Sequence, residues 1–260
     1  MPILERLNRY LARAGVASRR AADVLIASGA VRVNGRTPPA SGLLIDPEAD
    51  RVTVDGEPIE PVRLHHYLAL HKPAGVLVTA RDSQGRPTVF DLIRGAGLPR
   101  LFAVGRLDGA TNGLLLLTDD GELANRLTHP RHKVPKEYLA VVRGVPGEGD
   151  LRKLREGVLL DDGRTLPAEV ELVDSANGTS RLRLVIREGR NRQVRRMLEA
   201  VGHPVLELTR TAFGTVRLGR LRPGGWRRLS QAEVAALRDA ATRTHPREAA
   251  AALSLSRTAR

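Results

Sequence analysis

The segment Gly105-Arg106-Leu107-Asp108-Gly109 places one guanidinium and one carboxylate on a loop bounded by glycines. The loop leads into Leu114–Leu117, an apolar run of strand length, so a buried strand is expected to hold it in place. A carboxylate beside a positive charge stays ionised, and such a group can serve as a nucleophile. The alternative is an Asp that caps a turn, which is the commoner role of a single Asp in a Gly-rich loop.

Tyr138 is a second candidate, because it lies in a predicted strand over residues 136–142. Taken alone, it is better explained as an ordinary strand aromatic. His71 stands beside a predicted strand end, and we assign it no chemistry, since a single His there is more often structural.

A predicted helix over residues 191–201 supplies a third set of candidates. Its apolar face comprises Val194, Met197, Leu198 and Val201. Arg195 follows directly after Val194 and therefore lies at the edge of that face. Arg192 and Arg196 suit the solvated side of the same helix.

The elements that must position these groups fall into two parts. In the first part, the apolar spacing predicts a helix over residues 3–14 that ends at Gly15, and a second helix capped by Ser18. Strands at 31–33 and 52–54 follow, each with a turn of the Asn-Gly or Asp-Gly type. This small αα-β unit is assigned to residues 1–60, with a linker at 61–66.

The second part, residues 67–239, mixes short helices with many strands at hairpin-length spacing, which predicts an α+β fold with a mixed, mainly antiparallel sheet. Residues 71–75 are predicted as a turn, and 240–260 lack a core pattern and are predicted to be a disordered tail. The predicted strands are 67–70, 76–79, 101–104, 136–142, 168–173, 181–187, 204–213 and 215–218, and the predicted helices are 121–127, 148–156, 191–201 and 230–239.

Charge indicates a polyanionic partner. The chain carries 42 Lys and Arg against 29 Asp and Glu, a net charge of +13. Residues 1–36 hold seven Arg and residues 187–228 hold eleven, so two contact surfaces for phosphate are expected. The alternative is a solvated surface that reflects a coding bias towards Arg.

The chain has no Cys, and His65-His66 lacks the spacing of a zinc site, so we expect no metal. No apolar run approaches the length of a membrane span, and the N-terminus does not have the pattern of a signal peptide. We therefore expect a cytoplasmic protein without membrane contact.

Four ordered motifs resemble those of the ribosomal pseudouridine synthase group formed by synthase A (small ribosomal subunit) and synthase B (large ribosomal subunit). They are GRLDGATNGLLLLTDDGE, KEYL, EGRNRQVRRM and HKPAG, the last with His71 where Asn is commoner in the family. The stretch LNRYLARAGVASRRAADVLIASGAVRVNG resembles the S4 RNA-binding domain. Together the resemblance covers about residues 3–235.

The resemblance implies roles for the candidate residues. Asp108 would be the catalytic residue, Arg195 its ion-pair partner, and Tyr138 the side chain that packs on the target base. Arg106 would fill the vacated stack or hold a phosphate. A planar guanidinium at the edge of a buried face suits the pairing expected of Arg195.

The resemblance also implies RNA contacts. In the S4-like unit these would be made by Arg9, Arg13, Arg19, Arg20 and Arg32. In the predicted helix at 191–201 they would be made by Arg192 and Arg196.

The implied activity is the conversion of uridine to pseudouridine in ribosomal RNA, by a monomer. Because this isomerisation needs no redox change and no external energy, we expect no cofactor. The expected partner is 23S rRNA, the RNA of the large ribosomal particle. The same chemistry on small-subunit RNA or tRNA is one alternative. A non-catalytic S4 protein of ribosome assembly is another.

Overall fold

A computed structural model describes residues 4–39, 42–60 and 65–242. The chain forms two compact units. One comprises Met1–His66 with the short segments Leu98–Leu101 and Asp119–Gly121, and the other contains the remainder from Tyr67 onward. The linker predicted at 61–66 stays a prediction, since residues 61–64 lie outside the described ranges.

The first unit packs two helices against small strands. Its elements are β1 (Glu5–Arg6), α1 (Leu7–Arg13), α2 (Arg19–Ala27), β2 (Val31–Val33), β3 (Leu44–Ile45), β4 (Val52–Val54) and β5 (Glu57–Ile59). Strands β2, β4 and β5 form an antiparallel sheet, and β1 pairs with β3. The Ser18 side chain accepts a hydrogen bond from the Ala21 N–H, as predicted for the cap of α2.

The core of this unit lies between the helices and the strands. Leu11 and Ala22 are fully buried with Val31 in one cluster. The Tyr10 hydroxyl donates to the Ile59 carbonyl at 2.8 Å and joins α1 to β5. Helix α1 begins at Leu7 and not at residue 3, because Glu5–Arg6 pairs as a strand with Leu44–Ile45.

The second unit contains a long sheet with helices packed on it. Its strands are β6 (Tyr67–Lys72), β7 (Phe102–Ala103), β8 (Asn112–Thr118), β9 (Lys136–Arg143), β10 (Leu159–Leu160), β11 (Gly163–Arg164), β12 (Glu169–Ala176), β13 (Thr179–Ile186), β14 (Val205–Phe213), β15 (Val216–Arg217) and β16 (Trp226–Arg228). Its α-helices are α3 (Gly121–Thr128), α4 (Glu148–Glu156), α5 (Gln193–Ala200) and α6 (Gln231–Thr242), with 3₁₀ turns at Asp91–Ile93 and Pro130–His132.

Within the described residues, nine strands join in one sheet, with the order β12-β13-β9-β14-β8-β6-β16 and with β15 and β7 attached to β14 and β8. Only the contact between β14 and β8 is parallel in this sheet, and the other pairings are antiparallel. The prediction of a mixed, mainly antiparallel sheet is confirmed.

Strand β8 is buried on both faces, which explains its continuous apolar sequence. Leu114 and Leu116 pack with Leu123 of α3 and Leu237 of α6. Leu115 alternates with them in the strand and is also fully buried.

Several predicted boundaries were wrong. Strand β6 continues through Lys72, where a turn was predicted, because His71 and Lys72 pair with β8. Residues 76–79 do not form a strand, and Leu77 makes only a single bridge, with Thr88. Helix α6 continues to Thr242, so the first residues of the predicted tail are helical, and 243–260 lie outside the described residues.

Candidate active site

The Asp108 loop joins β7 to β8 and is fixed by backbone contacts. The Thr111 N–H donates to the Asp108 carbonyl at 3.1 Å, and the Gly75 N–H donates to the Gly109 carbonyl at 2.7 Å. The Leu107 side chain is buried, so it anchors the loop between Arg106 and Asp108. This places Asp108 on a rigid support, as a catalytic group requires.

The Asp108 carboxylate faces Arg195. Arg195 Nε lies 3.8 Å from Asp108 Oδ2. The rest of the guanidinium donates to the Val205 carbonyl at 3.2 Å and to the Ala110 carbonyl at 3.1 Å. Asp108 Oδ1 is buried and has no hydrogen-bond partner among the described residues. Arg195 thus bridges β14 and the Asp108 loop, and one carboxylate oxygen is left without a partner.

Lys72 lies beneath the same loop and was not among the predicted site residues. It is fully buried, and its Nζ donates to the Pro73 carbonyl at 2.8 Å and to the Gly109 carbonyl at 3.4 Å. Burial lowers the pKa of Lys72 to about 8, and the charge of Asp108 acts in the opposite direction. His71, to which no catalytic role was assigned, forms a hydrogen bond between its Nδ1 and the Leu221 carbonyl at 2.7 Å.

A cleft of about 1200 Å³ opens over Asp108. Tyr138 of β9 lines it and is 8% exposed, so only a small part of the residue is accessible. Arg106 and Arg192 also line the cleft and are exposed. The structure therefore brings together four of the predicted site residues around one cleft, with Arg195 behind Asp108.

Several further cations line this cleft and were missed from the sequence, and two of them lie beside Tyr138. Lys136 lies two residues before Tyr138 on β9, and Arg210 pairs with Tyr138 across β14. Both lie close to the ring of Phe213. Lys136 could have been identified from the sequence, because it is part of the KEYL motif. Arg210 could not, because no sequence motif marks a buried Arg in β14.

The segment before α5 is held by a polar network. The Glu188 carboxylate accepts from the Leu166 N–H at 2.9 Å and from the buried Gln193 side chain. Gln193 Oε1 in turn accepts from the Arg190 N–H at 3.1 Å, and Arg190 Nη1 donates to the Gly163 carbonyl at 2.7 Å. These contacts fix the start of α5 and with it the position of Arg195.

The two arginines that flank Arg195 differ. Arg192 caps α5 in a left-handed conformation, with φ of 47°, and is exposed. Arg196 is held by Asp162, and its hydrogen bonds lower the pKa of Asp162 to about 2. Arg196 thus already has a carboxylate partner, which weakens the case for a phosphate contact.

The arginines of the first unit also fall into two groups. Arg19, Arg20 and Arg32 are exposed. Arg13 is half-buried and pairs with Glu5 at 2.7 Å, and the exposed Arg9 has its Nε 3.8 Å from the same carboxylate.

Within the ranges that the structure covers, no group of three or more His, Cys, Asp or Glu side chains is arranged to hold a metal ion. The helices described there are all too short or too polar to cross a membrane.

Comparison with known proteins gives the same picture over most of the chain. Residues 66–200 match the family model of RNA pseudouridylate synthases, and residues 5–37 match the S4 domain. The chain is 45% identical over 241 residues to the ribosomal large subunit pseudouridine synthase B of Bacillus subtilis, covering 90% of this chain and 96% of that protein. It is also 45% identical over 234 residues to an uncharacterized RNA pseudouridine synthase of Aquifex aeolicus, covering 89% and 93% of the two chains.

A solved structure of a pseudouridylate synthase is similar as well. It has a TM-score of 0.65 and 34% identity and covers 89% of this chain and 99% of that one. With an Asp-centred cleft and a sheet of this topology already described, these matches establish that the chain belongs to the RNA pseudouridylate synthase family and is an isomerase that acts on RNA and carries an S4 domain.

Proposed function

We propose that this protein converts a specific uridine to pseudouridine in ribosomal RNA, most directly 23S rRNA, with Asp108 as the group that opens the reaction. The observation that carries the proposal is the Asp108 carboxylate, which faces Arg195 at 3.8 Å in a cleft that Tyr138 also lines. The choice of 23S rRNA is supported by the name of the Bacillus subtilis relative.

The reaction requires that the target base leave its stack. Extrusion of a nucleotide costs a few kcal/mol, and the enzyme must hold the base in a pocket. The cleft of about 1200 Å³ is large enough to take a nucleotide. Arg106, exposed at its rim, is proposed to occupy the vacated stack or to hold a phosphate.

The chemistry breaks the bond between C1′ and N1 and re-forms the glycosidic bond at C5. Asp108 either attacks C1′ or removes the 2′ proton with its carboxylate, and its side chain is partly exposed at the cleft. Arg195 holds the carboxylate in place. Tyr138 packs on the uracil and assists the loss of the C5 proton, while buried Leu107 helps to exclude water.

The S4 domain is proposed to bind folded RNA through exposed arginines. Arg19, Arg20 and Arg32 are the best candidates, because their side chains are exposed, whereas Arg9 and Arg13 pair with Glu5. Contacts of this kind go to phosphate and supply affinity more than sequence selection.

The test is tritium release from C5-labelled uridine in 23S and 16S transcripts and in tRNA. Wild-type protein is expected to release tritium from 23S RNA, and Asp108→Asn is expected to release none while it binds RNA within about tenfold of wild type. Asp174→Asn, which changes a carboxylate on β12 paired with Arg181, is the matched control and should react normally.

Activity of Asp108→Asn above about one per cent of wild type would remove Asp108 from the mechanism. Release only from 16S RNA or tRNA would redirect the substrate assignment. Wild-type binding without release from any RNA would indicate a non-catalytic assembly protein. Mapping pseudouridines in the ribosomal RNA of a deletion strain identifies the nucleotide.

A further inference from the structure

The wall of the cleft beside Tyr138 carries two cations. Lys136 and Tyr138 are two residues apart on β9, so their side chains point to the same face of the sheet. Arg210 of β14 lies directly opposite Tyr138 in the antiparallel register, which places the two side chains as neighbours. Both cations line the cleft together with Asp108.

Neither cation has a carboxylate partner in the part of the chain that the structure describes. Lys136 Nζ donates to the Val134 carbonyl at 2.9 Å and lies 5.4 Å from the centre of the Phe213 ring. The Arg210 guanidinium lies 5.1 Å from the same centre, and its Nε donates to the Leu114 carbonyl at 2.7 Å. Over the described residues, Arg210 Nη2 is buried without a hydrogen-bond partner.

This arrangement is costly without a ligand. Arg210 is 2% exposed, and an unpaired cation out of water destabilises the folded state. Burial, followed by the charge of Arg210, lowers the pKa of Lys136 to about 8, and only Glu188 acts in the opposite direction. Two uncompensated cations in a cleft indicate a site where negative charge arrives or develops.

We propose that Lys136 and Arg210 are further catalytic residues, which stabilise the negative charge of the uracil ring after its bond to C1′ breaks. The inference rests on the proposed function, because the leaving base exists only in that reaction. It does not depend on which of the two routes Asp108 follows.

In both routes the electron pair of the C1′–N1 bond stays with the uracil, as an anion delocalised over N1, O2 and O4. At the same time C1′ bonds to an Asp108 oxygen, or C2′ gives a proton to Asp108 and a C1′–C2′ double bond forms. After the base turns, a ring electron pair forms the C5–C1′ bond, and Asp108 leaves C1′ or returns the proton to C2′. The C5 proton then passes to a base and N1 takes up a proton, so the sum is an isomerisation.

The stability of the leaving base provides the test. RNA with 5-fluorouridine at the target position loses a more stable anion, because fluorine withdraws electrons from the ring. Single-turnover cleavage, with enzyme in excess, is followed as loss of the intact target nucleotide after nuclease digestion. Lys136→Met is expected to slow cleavage of uridine by about 100-fold and of fluorouridine by only about 10-fold. Lys153→Met, on an exposed Lys of α4, is the control and should leave both rates unchanged.

A second variant keeps the charge and the fold. The wild-type rate should fall as the pH rises through about 8, where Lys136 loses its proton. Lys136→Arg should remove part of that fall, since a guanidinium stays protonated. Lys72 titrates in the same range, so the difference between the two profiles is the readout. The charged groups that act on Lys136 are Arg210 and Glu188, and both are unchanged in the variant.

Equal losses on uridine and fluorouridine would overturn the inference and leave Lys136 a structural residue. A loss confined to RNA affinity, with a shallower salt dependence, would overturn it in favour of a phosphate contact. If Lys136→Met does not fold, identical pH profiles for wild type and Lys136→Arg would overturn it instead. Asp108→Asn in the same assay separates the two proposals: activity in that variant defeats the proposed function, whereas its inactivity beside a normal Lys136→Met defeats only this inference.

Discussion

Arg195→Lys is expected to slow catalysis while leaving RNA binding almost intact. The Arg195 guanidinium contacts three oxygens on β14 and the Asp108 loop: the Val205 carbonyl at 3.2 Å, the Ala110 carbonyl at 3.1 Å and Asp108 Oδ2 at 3.8 Å. An ammonium group keeps the positive charge but concentrates its donors at one point, so it cannot serve all three.

The magnitude follows from the contacts that are lost. A hydrogen bond from a charged donor contributes about 1.5–3 kcal/mol, and Lys is expected to lose at least one of the two carbonyl contacts. If the carboxylate is then free to move, most of that energy is lost from the transition state. About 3 kcal/mol corresponds to a rate reduction of about 100-fold.

Single-turnover rates at saturating enzyme measure this effect without a contribution from affinity. Arg192→Lys is the matched control, because Arg192 is exposed and begins the same helix, and its rate should stay within about twofold of wild type. A near wild-type rate for Arg195→Lys would show that the hydrogen bonds of the Arg195 guanidinium to β14 and to the loop do not orient the Asp108 carboxylate.

Three further outcomes are expected. Gly113→Ala should destabilise the protein by about 3 kcal/mol or more in urea unfolding, because its Cβ would lie 2.3 Å from the Arg210 carbonyl at a φ of +108°; Gly219→Ala, with a φ of +58° and open space, should cost about 1 kcal/mol. Between pH 8 and 10.5, folded Lys72, with a pKa near 8, has lost a proton that the unfolded chain keeps, so the free energy of unfolding of the wild type rises with pH. Lys72→Met should lower the slope of that rise by up to about 1.4 kcal/mol per pH unit. An unchanged slope would contradict the burial of Lys72 as a cation. The double substitution of Arg19 and Arg20 by Gln should weaken RNA binding and lower its salt slope by up to about two without changing the single-turnover rate, and an unchanged slope would show that they do not touch phosphate.

Local patterns were sufficient for most elements of the fold. The apolar run Leu114–Leu117 marks β8, and the apolar face of Val194, Met197 and Leu198 marks α5. The Asn34-Gly35 turn was also predictable, because both residues adopt positive φ, of 52° and 75°. Such features depend on neighbours within a few residues, and these neighbours can be read directly from the sequence.

Boundaries were less predictable where a distant strand decides them. His71 and Lys72 look like part of a turn beside Pro73, yet they pair with β8 and extend β6. Val76–Thr79 has strand composition but, among the described residues, finds no strand partner beyond the bridge at Leu77. Pairing across the sheet outweighs local propensity in both cases.

The sequence by itself determined which groups could do the chemistry: Asp108 on its glycine-bounded loop, Tyr138 in its strand and Arg195 at the edge of a helix face. Only the tertiary structure decided what surrounds them. Lys72 lies beneath the loop, and Arg210 lines the cleft opposite Tyr138. Both are far from Asp108 in the chain and are brought near it by the pairing of β6, β8, β14 and β9. The electrostatics of the cleft depend on burial and on distances between strands, and these quantities exist only once the sheet has formed.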